Sequence, residues 1–85
     1  MNTMKKVNCH NVKLHFKFFP FVVSGEKKFE IRLNDRDYKN GDFIALHEFG
    51  HDDELTGKMI CKRIGYVTDY EQKKGYVVFS LIDLD

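Results

Sequence analysis

The clearest alternation of apolar and polar residues in the chain lies between residues 27 and 34. Three apolar side chains alternate there with three charged ones: Phe29, Ile31 and Leu33 with Lys28, Glu30 and Arg32. Because successive side chains of a strand point to opposite faces, this spacing predicts a strand with one apolar and one polar face. We expect the apolar face to pack on the core and the polar face to meet solvent.

A short helix is predicted immediately before this strand, over residues 17–24. Four apolar residues recur at helical spacing in this segment: Phe18, Phe19, Val22 and Val23. Pro20 is tolerated in the first turn of a helix, and Gly25 stands where a C-terminal glycine is favoured. The helix therefore leads directly into the alternating strand.

The other apolar runs predict short strands separated by turns. The expected extended segments are residues 7–14, 43–48, 58–67 and 75–84, with a bulge at Gly65 in the third of them. Residues 34–37 and 39–42 are rich in turn formers, and Gly41 is suited to a positive φ. We expect Tyr38, which lies between these turns, to pack inward.

Five to six strands and one helix near the N-terminus predict a mainly β (α+β) fold. Strands of this number and length usually close into a small barrel, which avoids exposed edges. The length of 85 residues indicates one domain over residues 1–85, with residues 1–6 as a flexible leader. The fold class predicted is therefore a small β-barrel with one short helix.

The composition predicts a cellular location and shows that charge is unevenly distributed along the chain. The two cysteines lack C-x-x-C spacing, and the chain shows neither a signal-peptide pattern nor a long apolar run, so we expect a cytoplasmic protein without membrane contact. Residues 5–36 carry a net charge of +5 and residues 37–57 a net charge of −5. A basic first third can form an anion-binding face, although scattered lysines on a solvated surface give the same count.

The polar face of the alternating strand is the first candidate for chemistry. Glu30 and Arg32 project to the same face, about 7 Å apart along the strand. An arginine beside a carboxylate can hold a phosphate or the edge of a base, because arginine offers paired donors and glutamate accepts from an exocyclic amine. A cross-strand ion pair on a solvated face is the alternative. His10 and Lys13 form a second candidate pair that could contact a phosphate.

Other kinds of site find little support in the sequence. His47 and His51 lie four residues apart, a spacing that suits zinc on a helix, but here it crosses from a strand into a loop. No Gly-x-Ser-x-Gly nucleophile motif and no phosphate-binding Gly-rich loop occurs. We therefore predict no metal and no cofactor, and the sequence indicates no oligomeric state.

The segment Gly25 to Arg32, written G-E-K-K-F-E-I-R, resembles the G-x-K-x-x-E-x-R signature of the ASCH domains. The whole chain resembles more closely the DUF3850 group of ASCH-like proteins. The residues that carry this resemblance, in order, are His10, Lys13, Phe19, Val22, residues 34–37 (N-D-R-D), Gly41-Asp42, Thr56-Gly57 and residues 75–78 (G-Y-V-V). The resemblance covers residues 10–82.

The resemblance implies a barrel similar to that of the PUA domains, with a cleft beside the helix. It implies that the signature strand projects Lys27, Glu30 and Arg32 into this cleft, where ASCH domains are proposed to bind RNA. The partner we expect is RNA or a nucleotide-like ligand. The residues that we expect to bind it are His10, Lys13, Lys27, Glu30, Arg32, Asn34, Asp35 and Arg36.

A catalytic branch of the same superfamily hydrolyses the amide of an acetylated cytidine with a lysine and a threonine from this strand. Lys27 matches that lysine, but Glu30 stands in place of the threonine, which removes the nucleophile. We therefore expect binding rather than catalysis. The alternatives are a small amidohydrolase acting on an acylated nucleoside through Lys27 and Glu30, and a protein-interaction module that uses the acidic residues 52–54.

Overall fold

The computed structural model describes residues 6–84, so the predicted leader lies outside the described residues except for Lys6. The described chain forms five strands and one helix. In chain order these are β1 (Cys9–His15), α1 (Phe19–Ser24), β2 (Phe29–Leu33), β3 (Phe43–Phe49), β4 (Leu55–Thr68) and β5 (Tyr76–Ile82).

The five strands form one mixed sheet in the order β1-β3-β4-β5-β2. β1 runs parallel to β3, and the other three pairings are antiparallel. The sheet curves into a half-barrel that is open between its two edge strands, β1 and β2. The predicted mainly β fold with one short helix near the N-terminus is confirmed.

The helix α1 is too short to be stable alone, because the first turn of a helix is costly to form. Two features hold it in place. Its buried residues, Phe19 and Val22, belong to the core cluster. At its end Gly25 adopts φ 86°, and its N–H donates to the carbonyl of Val22 at 3.2 Å. The predicted C-terminal glycine is confirmed, and the helix begins two residues later than predicted.

The core lies on the concave face of the half-barrel. Its buried members are Val12, Leu14, Phe19, Val22, Tyr38, Ile44, Leu46, Ile64, Val77, Phe79 and Leu81. Tyr38 packs inward as predicted, with its ring centroid 4.9 Å from that of Phe79. The turn that carries it uses Gly41 at φ 97°, which confirms the predicted positive φ. Tyr38 thus joins the 34–42 turns to the core.

The orientation predicted for β2 is wrong. Its apolar residues Phe29, Ile31 and Leu33 are 45%, 53% and 49% exposed, whereas Glu30 is only 3% exposed. The reason is that β2 is an edge strand, so its inner side meets the open side of the half-barrel instead of a closed apolar core. A buried carboxylate is tolerated there because cationic partners accompany it.

No helix within residues 6–84 is long and apolar enough to cross a bilayer.

Candidate ligand cleft

The opening between β1 and β2 forms a cleft of about 630 Å³. Its walls come from β1, from the segment that enters α1, from β2 and from the turn that carries Tyr38. Clefts that hold small molecules commonly measure from about 300 to about 1,000 Å³. The cleft is therefore large enough for a nucleotide-sized ligand.

Glu30 lies in this cleft between two cations. Its Oε1 contacts Lys27 Nζ, and its Oε2 accepts from Arg32 Nε at 2.8 Å. Both cations are mostly buried, with about a fifth of each side chain exposed to solvent. Two positive groups share one carboxylate, so this group of three residues, here called the Lys27–Glu30–Arg32 triad, carries an excess of positive charge.

The two cations of the triad also bind backbone carbonyls at the strand edges. Lys27 Nζ donates to the carbonyl of Phe29 at 2.6 Å. Arg32 Nη2 donates to the carbonyl of Lys13 at 2.6 Å, so the side chain of Arg32 spans the gap from β2 to β1. A guanidinium has five N–H groups, and the contacts to Glu30 and Lys13 use two of them. Within residues 6–84 no hydrogen bond takes the other three, so they can meet an anion.

Aromatic rings form much of the rest of the wall. Phe18, Phe29, Tyr38 and Tyr76 line the cleft. Lys27 Nζ lies 4.8 Å from the ring centroid of Phe29 and 5.8 Å from that of Phe18. Phe18 is 47% exposed and lines the cleft, so its ring does not pack in the core. These rings offer stacking surface next to positive charge.

The rim of the cleft is charged and, on balance, positive. Four cationic and two carboxylate side chains line the cleft, a net charge of +2: Lys13, Lys27, Arg32 and Arg36 with Glu30 and Asp35. Lys13 is exposed and lies 3.7 Å from Asp53, which is also exposed. A pair this exposed holds neither partner firmly, so Lys13 can turn to an anionic ligand.

Six of the eight residues predicted from the sequence line the cleft, and His10 and Asn34 do not. His10 is buried beneath it, with Nε2 2.8 Å from Asp42 Oδ2 and its ring 4.9 Å from that of Tyr38. Asn34 Oδ1 accepts the N–H of Tyr38 at 2.9 Å. Both side chains hold the turn that carries Tyr38, Asp35 and Arg36.

Two side chains in this region have shifted pKa values. Burial raises the pKa of Asp42, but hydrogen bonds from His10 and from the amides of Asn8 and Lys39 outweigh it, so the pKa lies below its ordinary value. Burial raises the pKa of Tyr38, against an opposite effect of Arg32 and Arg36. The Tyr38 hydroxyl therefore stays protonated at neutral pH and can donate a hydrogen bond.

The sequence pattern does not predict the aromatic wall. The pattern places Phe18 on the apolar side of the helix and Phe29 on the core face of β2. A signal for Phe18 was present, because adjacent helical positions lie about 100° apart, so Phe18 and Phe19 cannot both face the core fully. For Phe29 no local pattern reveals that its strand forms the edge of an open barrel.

Residues 6–84 bring no three His, Cys, Asp or Glu side chains together in an arrangement that could hold a metal ion. The two histidines with zinc-like spacing have other contacts. His47 Nε2 lies 3.0 Å from Asn11 Oδ1, and the ring of His51 packs 4.5 Å from that of Phe16.

Comparison with known proteins places this cleft inside a recognised family region. Residues 9–81 match the family described as "Domain of unknown function (DUF3850)". A protein of Escherichia phage P2, described as "Uncharacterized 12.9 kDa protein in GpA 3'region", is 45% identical over 60 residues. The alignment covers 71% of this chain and 54% of the phage protein, so the chain spans about half the length of that relative.

Proposed function

Because the chain belongs to the DUF3850 family, whose description assigns no activity, we propose from the cleft itself that this protein binds RNA or a nucleotide-like ligand. The resemblance of the G-x-K-x-x-E-x-R strand to that of the ASCH domains, which are proposed to bind RNA, supports the same function. The lining of the cleft offers cationic donors for a phosphate, aromatic rings for a base and the carboxylate of Glu30 for an exocyclic amine.

The observation that carries the proposal is the Lys27–Glu30–Arg32 triad beside exposed aromatic rings. A purely structural ion pair needs one cation, whereas Glu30 has two, and Arg32 keeps N–H groups that no described residue takes. Free guanidinium donors suit a phosphate, which accepts paired hydrogen bonds. Lys13 and Arg36 at the rim extend the same positive field.

A base would occupy the aromatic part of the cleft. Phe18 and Phe29 offer ring faces, and recognition of unpaired bases relies on stacking against such rings. The carboxylate of Glu30 accepts one cation on each oxygen and retains lone pairs, so it can also accept from an exocyclic amine. The hydroxyl of Tyr38 is a further donor at the same wall.

The proposal is tested with fluorescein-labelled single-stranded RNA, by fluorescence anisotropy at 50 mM and 200 mM salt. If Lys13, Arg32 and Arg36 each contact a phosphate, the affinity should fall more than about tenfold between these concentrations, because bound counterions are released. Lys13→Ala should weaken binding and reduce the salt dependence by about one counterion.

The matched control is Lys58→Ala, since Lys58 is an exposed strand lysine that does not line the cleft. It should leave the affinity unchanged. Absence of salt-sensitive binding by RNA of any composition, or equal losses in the two variants, would contradict the proposal.

The amidohydrolase is a second candidate, which the direct contact between Lys27 Nζ and Glu30 in the cleft favours. Such an enzyme would place Glu30 as the base towards water and Lys27 as the electrostatic partner. Incubation with acylated nucleosides and analysis by mass spectrometry should then show the free nucleoside. Glu30→Gln should abolish the release. Intact substrate across a panel of acylated nucleosides would reject this candidate and leave the binding proposal standing.

A further inference from the structure

A row of aromatic rings leads out of the cleft and around the end of β1. Phe18 and His15 line the cleft, and their ring centroids lie 6.4 Å apart. The ring of His15 lies 4.5 Å from that of Phe16 and 5.1 Å from that of Phe49. The row ends at His51, whose ring lies 4.5 Å from that of Phe16. We call these five residues the aromatic row.

The aromatic row is held in place by backbone hydrogen bonds. The N–H of Phe16 donates to the carbonyl of Phe49 at 3.0 Å, which anchors the end of β1 beside β3. The N–H of Lys17 donates to His15 Nδ1 at 3.1 Å, which fixes the orientation of the imidazole. Phe18 and His51 are exposed, and the other three members are half-buried. Rings that are fixed in place and only partly buried form a stacking surface whose ordering cost is already met.

The charge along the aromatic row changes sign. Two lysines of this part of the chain are exposed. Lys13 lines the cleft, with Nζ 6.0 Å from the ring centroid of Phe49, and Lys17 follows Phe16 in the sequence. Directly after His51 the chain continues with three exposed acids, Asp52, Asp53 and Glu54. Asp53 reaches back to Lys13, with 3.7 Å between its Oδ2 and Lys13 Nζ, so the repulsion of a phosphate backbone beyond His51 is assigned to Asp52 and Glu54.

We propose, resting on the function proposed above, that the ligand is a single-stranded RNA segment of two to three nucleotides and not a free mononucleotide. One base occupies the cleft, and the neighbouring base or bases stack on His15 and Phe16 while Lys13 and Lys17 meet the connecting phosphates. The strand leaves the surface before the acidic residues 52–54. A duplex does not bind in this way, because its base faces are covered by their neighbours.

The proposal is tested by calorimetric titration with RNA of one, two, three and six nucleotides, in a separate series for each of the four bases. Each stacked base should strengthen binding about tenfold. Affinity should therefore rise from one to two or three nucleotides and then stay constant up to six. Mononucleotides that bind as tightly as trinucleotides would overturn this proposal and leave the function of the cleft intact. Failure of every length to bind would overturn both.

Phe16→Leu separates stacking from packing, because it keeps an apolar side chain and removes the ring face. It should weaken dinucleotide binding about tenfold and leave mononucleotide binding unchanged. The control is Tyr66→Leu, since Tyr66 is exposed on β4 and does not line the cleft. Equal losses of mononucleotide and dinucleotide binding in Phe16→Leu would show a structural role and overturn the proposal. The length series needs no variant and decides the matter even if Phe16→Leu fails to fold.

The acidic end is tested by the double variant Asp52→Asn/Glu54→Gln, with Asp53 kept because it lies beside Lys13. Removal of this repulsion should make the hexanucleotide bind more tightly than the trinucleotide. An unchanged ratio would show that the acidic residues do not limit the length bound, and would overturn the proposed exit of the strand before residues 52–54.

Discussion

The environment of Glu30 depends on the fold around it and not on the alternating pattern of its strand. In the sequence it is one charged residue of an alternating strand, but in the structure its carboxylate is buried between Lys27 and Arg32. Buried ion pairs add little net stability, since desolvation offsets the attraction. What the arrangement provides is orientation: it holds the guanidinium of Arg32 across the cleft with donors left over for a ligand.

At the same scale, Asp42 is expected to control stability in acid. Its carboxylate accepts hydrogen bonds from the amide of Asn8, from His10 Nε2 and from the amide of Lys39. Since the pKa of the folded state lies below that of the unfolded chain, the unfolded state binds more protons as the pH falls. The stability that Asp42 contributes is thus complete above the unfolded pKa of about 3.9. It is lost as the pH falls from there through the folded pKa.

The measurement is urea unfolding followed by circular dichroism from pH 7 to pH 2. Asp42→Asn should lower the free energy of unfolding by about 2 kcal/mol at pH 7, because His10 and the amides of Asn8 and Lys39 lose a charged partner. The variant should also lose less stability than the wild type as the pH falls below about 4. Some slope will remain, because a hydrogen bond from Lys62 also lowers the pKa of Asp83. Asp69→Asn, at an exposed loop position, is the control. An acid limb as steep in Asp42→Asn as in the wild type would refute the assignment.

At the scale of elements, β4 shows how a long strand bends while a side chain accepts one of its backbone N–H groups. Its pairing with β5 shifts register between Ile64 and Val67, which confirms the bulge predicted at Gly65. The N–H of Tyr66 falls in this irregular part and donates to the hydroxyl of Ser80 at 3.0 Å. Ser80 therefore occupies the space where a side chain at position 65 would lie.

Gly65→Ala should consequently be destabilising. A Cβ at position 65 would collide with Ser80 Oγ and approach Ile82 Cδ1 to 2.8 Å. We expect a loss of about 2 kcal/mol in the free energy of unfolding, as for overpacked cores. Gly50→Ala is the matched control, because the nearest atom to a Cβ there is Thr56 Cγ2 at 3.9 Å. Thermal or urea melts that shift equally for the two variants would show that the bulge leaves room for a methyl group.

At the scale of the whole molecule, the open side of the half-barrel explains both the cleft and the position of the triad. Unpaired strand edges invite aggregation, and proteins protect them with charged side chains. Here Lys27 donates a hydrogen bond to the carbonyl of Phe29, and Arg32 donates one to the carbonyl of Lys13, on the two edges that face each other. The same two cations thus protect both edges and line the cleft.

Much of the fold and of the site could be predicted from local pattern, and the failures share one cause. Strand and helix positions follow from periodicity and from glycine and proline, and six of the eight predicted site residues line the cleft. The errors concern which way a side chain faces. The charged face of β2 turns inward at Glu30 and its apolar face is exposed, His10 lies beneath the cleft, and Phe18 and Phe29 form its wall. Periodicity separates two faces of a strand, but it does not say which face is inside.

The sequence by itself determined the mainly β fold, the short helix before β2, the turn at Gly41 and the bulge at Gly65, because each depends on neighbours along the chain. It also placed Glu30 and Arg32 on one strand, with Lys27 just before that strand in the sequence. Only the tertiary structure decided that β1 and β2 are edges of an open half-barrel. That arrangement joins residues far apart in sequence, and it turned a strand with an apolar and a charged face into the wall of a cleft.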